Sequence, residues 1–269
     1  MSLQQEIIER FKVKPVIDVD EEISRRVAFL QDYIVKSRAS GLLIAISGGV
    51  DSAVAAALCK LATDGLTETS GKKYITLGVF QPCGEQEDIA DSYAIAEAIG
   101  LETKVETNIG DAVDEIVLEA EYALKAQGIH RHMSRGGKGN VKARTRMVVQ
   151  YALAFEQNLL VVGTDHASEA ITGFFTKYGD GAADIMPLRS LNKRQVRMLA
   201  AKLNIPQRVI DKTPTAGLWP GQTDEAELGI SYEDNSAYLE GKAIDPAVRE
   251  KLEKQYARTE HKRAPIPGI

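Results

Sequence analysis

Apolar residues recur along this chain with two alternating periods. Ile23, Val27, Leu30 and Ile34 lie three or four residues apart behind Asp20, Glu21 and Glu22. That spacing predicts a helix with its acidic end at the positive pole of the dipole, and Gly41 is expected to close it. Leu42 to Ile46 is a short, almost wholly apolar run, the pattern of a strand covered on both faces. Ser47-Gly48-Gly49-Val50-Asp51-Ser52 follows, and then an alanine-rich helix former from Ala53 to Leu61. The alternation continues with a strand over Tyr74 to Phe80, a helix over Ile89 to Ile99 and a weaker strand over Thr103 to Thr107. A helix over Val113 to Ala126 comes next, then a polar, glycine-rich loop over 129–139. A helix over Val141 to Phe155, a strand over Leu159 to Val162 and a helix over Lys193 to Leu203 complete the series. Strands and helices alternating in this way indicate parallel βαβ units: an α/β fold with a doubly wound, mostly parallel sheet and helices on both faces.

The rhythm breaks at residues 211–231, where Pro214, Pro220 and three glycines predict a long loop or lid with at most one turn of helix. Two short helices are expected near Ser236 to Glu240 and Ala247 to Gln255, before a basic, proline-containing tail. With 269 residues, the chain suffices for one large α/β domain, and one domain over 1–269 is the expectation. The net charge of -5 speaks against a protein whose task is to neutralise nucleic-acid phosphates. Two cysteines, Cys59 and Cys83, exclude a disulfide scaffold and a four-cysteine zinc site, and Cys59 should be buried in its apolar helical run. The N-terminal segment is too charged for a signal peptide, and no run approaches the length of a membrane span. A cytoplasmic protein without membrane or nucleic-acid partners is therefore expected.

The strongest local signal is the strand running into SGGVDS and then a helix. Two glycines let successive backbone N–H groups point one way, and the helix N-terminus adds positive potential. Ser47 and Ser52 can donate hydroxyl hydrogen bonds to phosphate oxygens. Asp51 is the informative residue: a carboxylate inside a phosphate cradle repels its ligand unless a cation lies between them, which implies Mg²⁺. The residues alone also allow a plain strand-to-helix turn capped by serine. Neither GxxxxGK[ST] nor GxGxxG is present, so the P-loop and dinucleotide fingerprints do not apply.

SGGVDS resembles the loop of the ATP pyrophosphatases, which release diphosphate and leave AMP on a substrate, and by itself it does not choose among them. The segments KGNVKARTRM (138–147), GTDHASEAITGFFTKYGDGAADIMPL (163–188), ELGISYEDNSAYLEG (227–241) and TEHKR (259–263) resemble the ammonia-dependent NAD⁺ synthetase family over nearly the whole chain. The resemblance implies ATP- and Mg²⁺-dependent amidation of deamido-NAD⁺ by ammonia through an acyl-adenylate, giving NAD⁺, AMP and diphosphate. It implies ATP contacts at Ile46, Ser47, Gly48, Gly49, Val50, Asp51, Ser52, Thr164, Lys193 and Thr215, with Asp51 and Glu169 as Mg²⁺ ligands. Asp51, Glu169 and Lys193 become the catalytic set. Deamido-NAD⁺ contacts are implied at Tyr33, Arg144, Phe174, Lys177, Asp184, His261 and Lys262, the last two across a homodimer that shares each dinucleotide site. No glutaminase domain is expected.

The chain departs from the family's pattern at Ser134-Arg135-Gly136-Gly137, where an aromatic residue and asparagine are usual before KGN, and at PCGEQEDIADS (82–92), which puts Cys83 in a loop beside the nucleotide. His132 or Met133 could replace the aromatic residue. Another amidating or tRNA-modifying pyrophosphatase is the alternative enzyme, and a nucleotide-binding regulator without turnover the alternative class. The 211–231 loop is expected to close before the water-sensitive adenylate forms.

Overall fold

The structure is a computed structural model that describes residues 2–129, 132–215, 221 and 223–269. Two helices, α1 (Leu3–Phe11) and α2 (Val19–Ser37), precede β1 (Gly41–Ala45). Then come α3 (Val50–Ser70), β2 (Ile75–Phe80), α4 (Ile89–Ala98), β3 (Lys104–Glu106), α5 (Gly110–Ala126), α6 (Arg135–Gln157) and β4 (Leu159–Val162). The remainder is helical: α7 (Ala167–Thr172), α8 (Lys193–Lys202), α9 (Gln207–Ile210), α10 (Asp224–Leu228), α11 (Tyr232–Leu239), α12 (Pro246–Arg258) and α13 (Glu260–Arg263).

The strands form one parallel sheet in the order β3-β2-β1-β4. Residues alternate across its two faces as the pleat requires. On β1, Leu42 and Ile44 pack with α3 and α8 residues such as Val54, Leu58 and Leu199, whereas Leu43 joins Leu77, Val161 and Ala154 of α6. Both faces are thus covered by helices, as the alternation predicts. Cys59 lies fully buried in the larger core, and both cysteines are free. A second core joins α1, α7, α11 and α12 through Ile7, Phe11, Ile171, Tyr238 and Leu252.

Besides the short helices α7, α9 and α13, which were not expected, three elements differ from the sequence expectation. The glycine-rich loop is shorter, because α6 starts at Arg135 with the Ser134 hydroxyl accepting from Gly137 N at 3.1 Å. Gly136 and Gly137 sit in the first turn, where an N-cap compensates for weak helix propensity. Helix α2 ends at Arg38, which adopts the left-handed conformation, so Gly41 opens β1 rather than closing a helix. Helix α1 was not expected; a Ser2–Gln5 capping box starts it. Of the expected lid over 211–231, residues 216–220 and 222 lie outside the described residues; within the described part Asp224–Leu228 forms α10, the single turn of helix that the sequence allows there.

Candidate active site

Strand order reverses between β1 and β4, and the crevice beyond the carboxyl ends of such strands is where open parallel sheets bind ligands. A cleft of about 1520 Å³ opens there. The SGGVDS turn forms one wall. Ser52 Oγ accepts from Ser47 N at 3.2 Å, donates to Gly49 O at 3.0 Å and lies 3.1 Å from Ser47 Oγ. These bonds fix the turn from inside. Gly49 caps α3 without a side-chain bond, so the first amides of the helix are left for a ligand. Gly48 faces away from the cleft: its φ is +84°, and a Cβ there would lie 3.3 Å from both Asp91 Cβ and Ser92 Oγ. Lys212, itself on the cleft wall, braces the same turn, donating to Gly48 O at 3.3 Å while pairing with Asp88 and Asp91.

The first turn of α3 carries Asp51 toward the start of α7 and α8. Lys193 Nζ donates to Asp51 Oδ2 at 2.6 Å, and His166 Nε2 lies 3.4 Å from Asp51 Oδ1 and 3.8 Å from Glu169 Oε2. One ligand atom from each of Asp51, His166 and Glu169 fits within 4.8 Å. Burial opposes ionisation of Asp51, yet Lys193 and His166 hold its carboxyl well below the usual carboxylate range. Glu169 accepts no hydrogen bond from Lys193, and burial, together with the Asp51 charge, pushes it up to about 8 against the pull of His166 and Lys193. Asp51 Oδ1 and His166 Nε2 are buried without a hydrogen bond. An orphaned carboxylate oxygen beside a carboxyl lacking its own cation fits a divalent ion held by Asp51 and Glu169. Lys193 is itself buried, its ammonium 4.9 Å from the Tyr232 ring centre, and Tyr232 donates its hydroxyl to Asp224 Oδ2 at 2.9 Å.

The far end of the cleft lies between α6, the turn at 173–177 and the C-terminal helices. Arg144 donates to Lys177 O at 3.2 Å, and Lys177 Nζ donates to His261 O at 2.6 Å. Lys262 Nζ donates to Gly173 O and Phe175 O, each at 2.7 Å. His261 and Lys262 therefore reach the cleft from their own chain, and their approach needs no second one.

Of the residues singled out from sequence, Ile46, Ser47, Gly49, Val50, Asp51, Ser52, Thr164, Glu169, Lys193 and Thr215 line the cleft at its phosphate-loop end. Arg144, Phe174, Lys177, His261 and Lys262 line the other end. Gly48, Tyr33 and Asp184 do not. Tyr33 is exposed on α2. Asp184 serves the sheet edge: its carboxylate accepts from Val161 N at 2.8 Å while its own N–H donates to Val161 O at 2.9 Å. Of the two residues that could replace the missing aromatic one, Met133 packs with Val113 and Val117 of α5 and His132 lies 3.5 Å from Glu121, and neither lines the cleft. Sequence reasoning missed four residues. Gln81 exchanges bonds with Arg146 and Gln150, Lys212 braces the loop, Tyr232 backs Lys193, and Asp165 lies buried on the cleft wall. Asp165 comes three residues after the end of β4, and a carboxylate just beyond a strand end is the signal that could have found it.

A parallel α/β fold, a phosphate loop at the switch point and a cation-ready carboxylate pair beside a buried lysine define a nucleotide-dependent enzyme of the ATP-pyrophosphatase type. The NAD synthase family model matches residues 22–266. An NH₃-dependent NAD⁺ synthetase of Limosilactobacillus fermentum is 47% identical over 266 residues, covering 97% of this chain and 94% of its own. The Bacillus subtilis enzyme of the same name is 44% identical, with 98% and 96% covered. Among solved structures, an NMN synthetase from Francisella tularensis matches with a TM-score of 0.83 at 33% identity, covering 94% of this chain and 99% of that one. An NAD⁺ synthetase from Burkholderia pseudomallei matches at 0.81 and 37%, covering 97% and 95%. The chain belongs to the NH₃-dependent NAD⁺ synthetase family and is an ATP-dependent ligase.

Proposed function

We propose that this cleft amidates the nicotinate carboxylate of deamido-NAD⁺ with ammonia, using ATP. The observation that carries the reading is the meeting of Asp51, Glu169 and Lys193 beside the SGGVDS amides, at one end of a cleft whose other end is lined by Arg144, Lys177 and Lys262. The triphosphate lies along the turn, where the free α3 amides and Lys193 neutralise the departing diphosphate. The nicotinate carboxylate attacks the α-phosphorus, diphosphate leaves, and ammonia then displaces AMP from the acyl carbon. Mg²⁺ held by Asp51 and Glu169 would supply charge neutralisation on the phosphate oxygens. No side-chain nucleophile is required, because positioning and electrostatics supply the catalysis. Thr164 and Thr215 complete the ATP end, while Phe174, Lys177, His261 and Lys262 take the dinucleotide. The cleft has the volume for two nucleotides.

A homodimer fits this reading. Val148 and Phe155 continue the α6 face that carries Arg144, and both are largely exposed, as are Ile116 and Tyr122 on α5. Tyr33 can serve a dinucleotide only if two chains share a site. No helix among the described residues is long and apolar enough to cross a membrane, which suits the cytoplasmic location we infer.

The test is turnover by the purified chain with ATP, Mg²⁺ and ammonium, offering deamido-NAD⁺, nicotinate mononucleotide, xanthosine monophosphate or bulk tRNA in turn. Equimolar AMP and NAD⁺ with deamido-NAD⁺ is the expected result. Preference for the mononucleotide would move the substrate assignment to the activity for which the Francisella protein is named, and no AMP release with any of them would sink the reading.

A further inference from the structure

Asp165 is only 7% exposed, lines the cleft three residues beyond the end of β4, and makes no side-chain hydrogen bond or ion pair with any described residue. Burial, Asp180 and Asp51 push its carboxyl well above the usual range, against the pull of Arg189 and Lys262. Neither of those cations pairs with it: Lys262 is spent on the carbonyls of Gly173 and Phe175, and Arg189 Nη1 is directed at Met186 Sδ. A carboxylate that opens on the cleft with no cation paired to it is placed to receive one from outside. The divalent ion does not meet this need, because the group with ligand atoms within 4.8 Å comprises Asp51, His166 and Glu169 and leaves Asp165 out. Asp165 and its neighbour Asp180 belong to no group of three ligand atoms among the described residues, a poor site for a cation that requires several oxygen ligands. Asp165 is well matched to a small, singly charged ion that brings its own N–H donors. Its position agrees: β4 is the neighbour of β1 in the sheet, so Asp165 and Thr164 lie beside the phosphate loop.

We propose that Asp165 is the ammonium-binding residue of this cleft, receiving NH₄⁺ as a cation and holding its nitrogen on the β4 side of the activated carboxyl carbon. The inference rests on the amidation reading above. Near neutral pH ammonia is mostly protonated, so a site that selects the cation raises the local supply of the nucleophile. The ion then releases one proton to water, and the nitrogen lone pair forms the C–N bond. AMP leaves with the electrons of the C–O bond, and a second proton departs from the new amide.

Steady-state kinetics of Asp165→Asn test this. The KM for ammonium should rise roughly tenfold or more, the loss expected for a charge-assisted bond. The KM values for ATP and deamido-NAD⁺ should stay within about twofold, because no contact to either is removed. Hydroxylamine, largely neutral at the same pH, should remain a competent nucleophile for the variant. Asp165→Glu, which keeps the charge and shifts it, should fall between the two and serves if the Asn variant is poorly folded. An unchanged ammonium KM, an equal rise in all three KM values, or a shift confined to the Mg²⁺ requirement would each overturn the assignment. A wild-type chain that forms no NAD⁺ would instead sink the amidation reading, so the two failures are distinguishable.

Discussion

Lys193 is a buried ammonium whose charge is satisfied by a single carboxylate oxygen at 2.6 Å and the face of one aromatic ring. Removing one partner of such a pair strands the other, at a cost of about 3–5 kcal/mol. Asp51→Asn should therefore lose both turnover and stability, and the double variant Asp51→Asn/Lys193→Met should regain stability while staying inactive. Thermal melts beside an AMP-release assay measure this; a single variant as stable as the wild type would show that the pair is not coupled. The pH dependence has a definite sign. Asp51 titrates lower in the folded chain than in the unfolded one, so its contribution is complete above the ordinary carboxylate range and is lost as pH falls through the folded value. Asp51 was legible because a carboxylate inside a phosphate cradle demands an explanation, and the structure places it beside Glu169. Tyr232 was not legible, since a ring that backs a lysine from 39 positions away in the chain leaves no local pattern.

The helices and strands were legible where periodicity is strong, and their ends were not. Gly41 illustrates the difference. It reads as a helix terminator, yet Arg38 takes that conformation, and Gly41 begins β1 opposite Ile75 with φ +151°. A Cβ at Gly41 would lie 1.9 Å from the Ile75 carbonyl oxygen, backbone that cannot swing aside. Gly71 is the natural control: it also has positive φ, +68°, but a Cβ there meets nothing within 4 Å. Gly71→Ala should cost about 1 kcal/mol of left-handed strain. Gly41→Ala adds displacement of a central strand pair, so a loss of roughly 3 kcal/mol or more is expected, a fall of about 6–12 °C at this chain size. Equal melting temperatures for the two variants would mean that the β1–β2 register tolerates the shift. The start of α6 escaped for a related reason: Gly136 and Gly137 read as loop, and only the Ser134 cap makes them helical. That boundary matters because Arg144 and Arg146 take their direction from the helix it begins.

At the scale of the molecule, the cleft is built from parts distant in sequence, and its two ends differ in how they are held. The phosphate loop is anchored by the central sheet and by Lys212, whereas the far end, proposed for the dinucleotide, is closed by α6 and the C-terminal helices. Helix α6 has two roles to reconcile. Its inner face covers the sheet through Ala154 and Tyr151, while Arg144, Val148 and Phe155, spaced by four and seven residues, share an outer face. Along it Val148 is 59% and Phe155 84% exposed, and Leu118 and Tyr122 on α5 add 44% and 58%. Large side chains clustered so are costly to leave in water, and a closed two-fold pairing is the commonest way to cover them. We therefore expect sedimentation at about twice the 29.3 kDa chain mass. Phe155→Glu, which places a charge at the centre of the proposed interface, should dissociate the pair with little change in melting of the isolated chain. If the dinucleotide site is shared, the monomeric variant should bind deamido-NAD⁺ more weakly while its ATP affinity holds, since no ATP-end residue lies on that face. Calorimetric titration with each ligand separates these effects. A wild-type chain that sediments as a fully active monomer would remove the shared site, and with it the only route by which Tyr33 meets the dinucleotide. A dimer undisturbed by Phe155→Glu would place the interface elsewhere on the molecule.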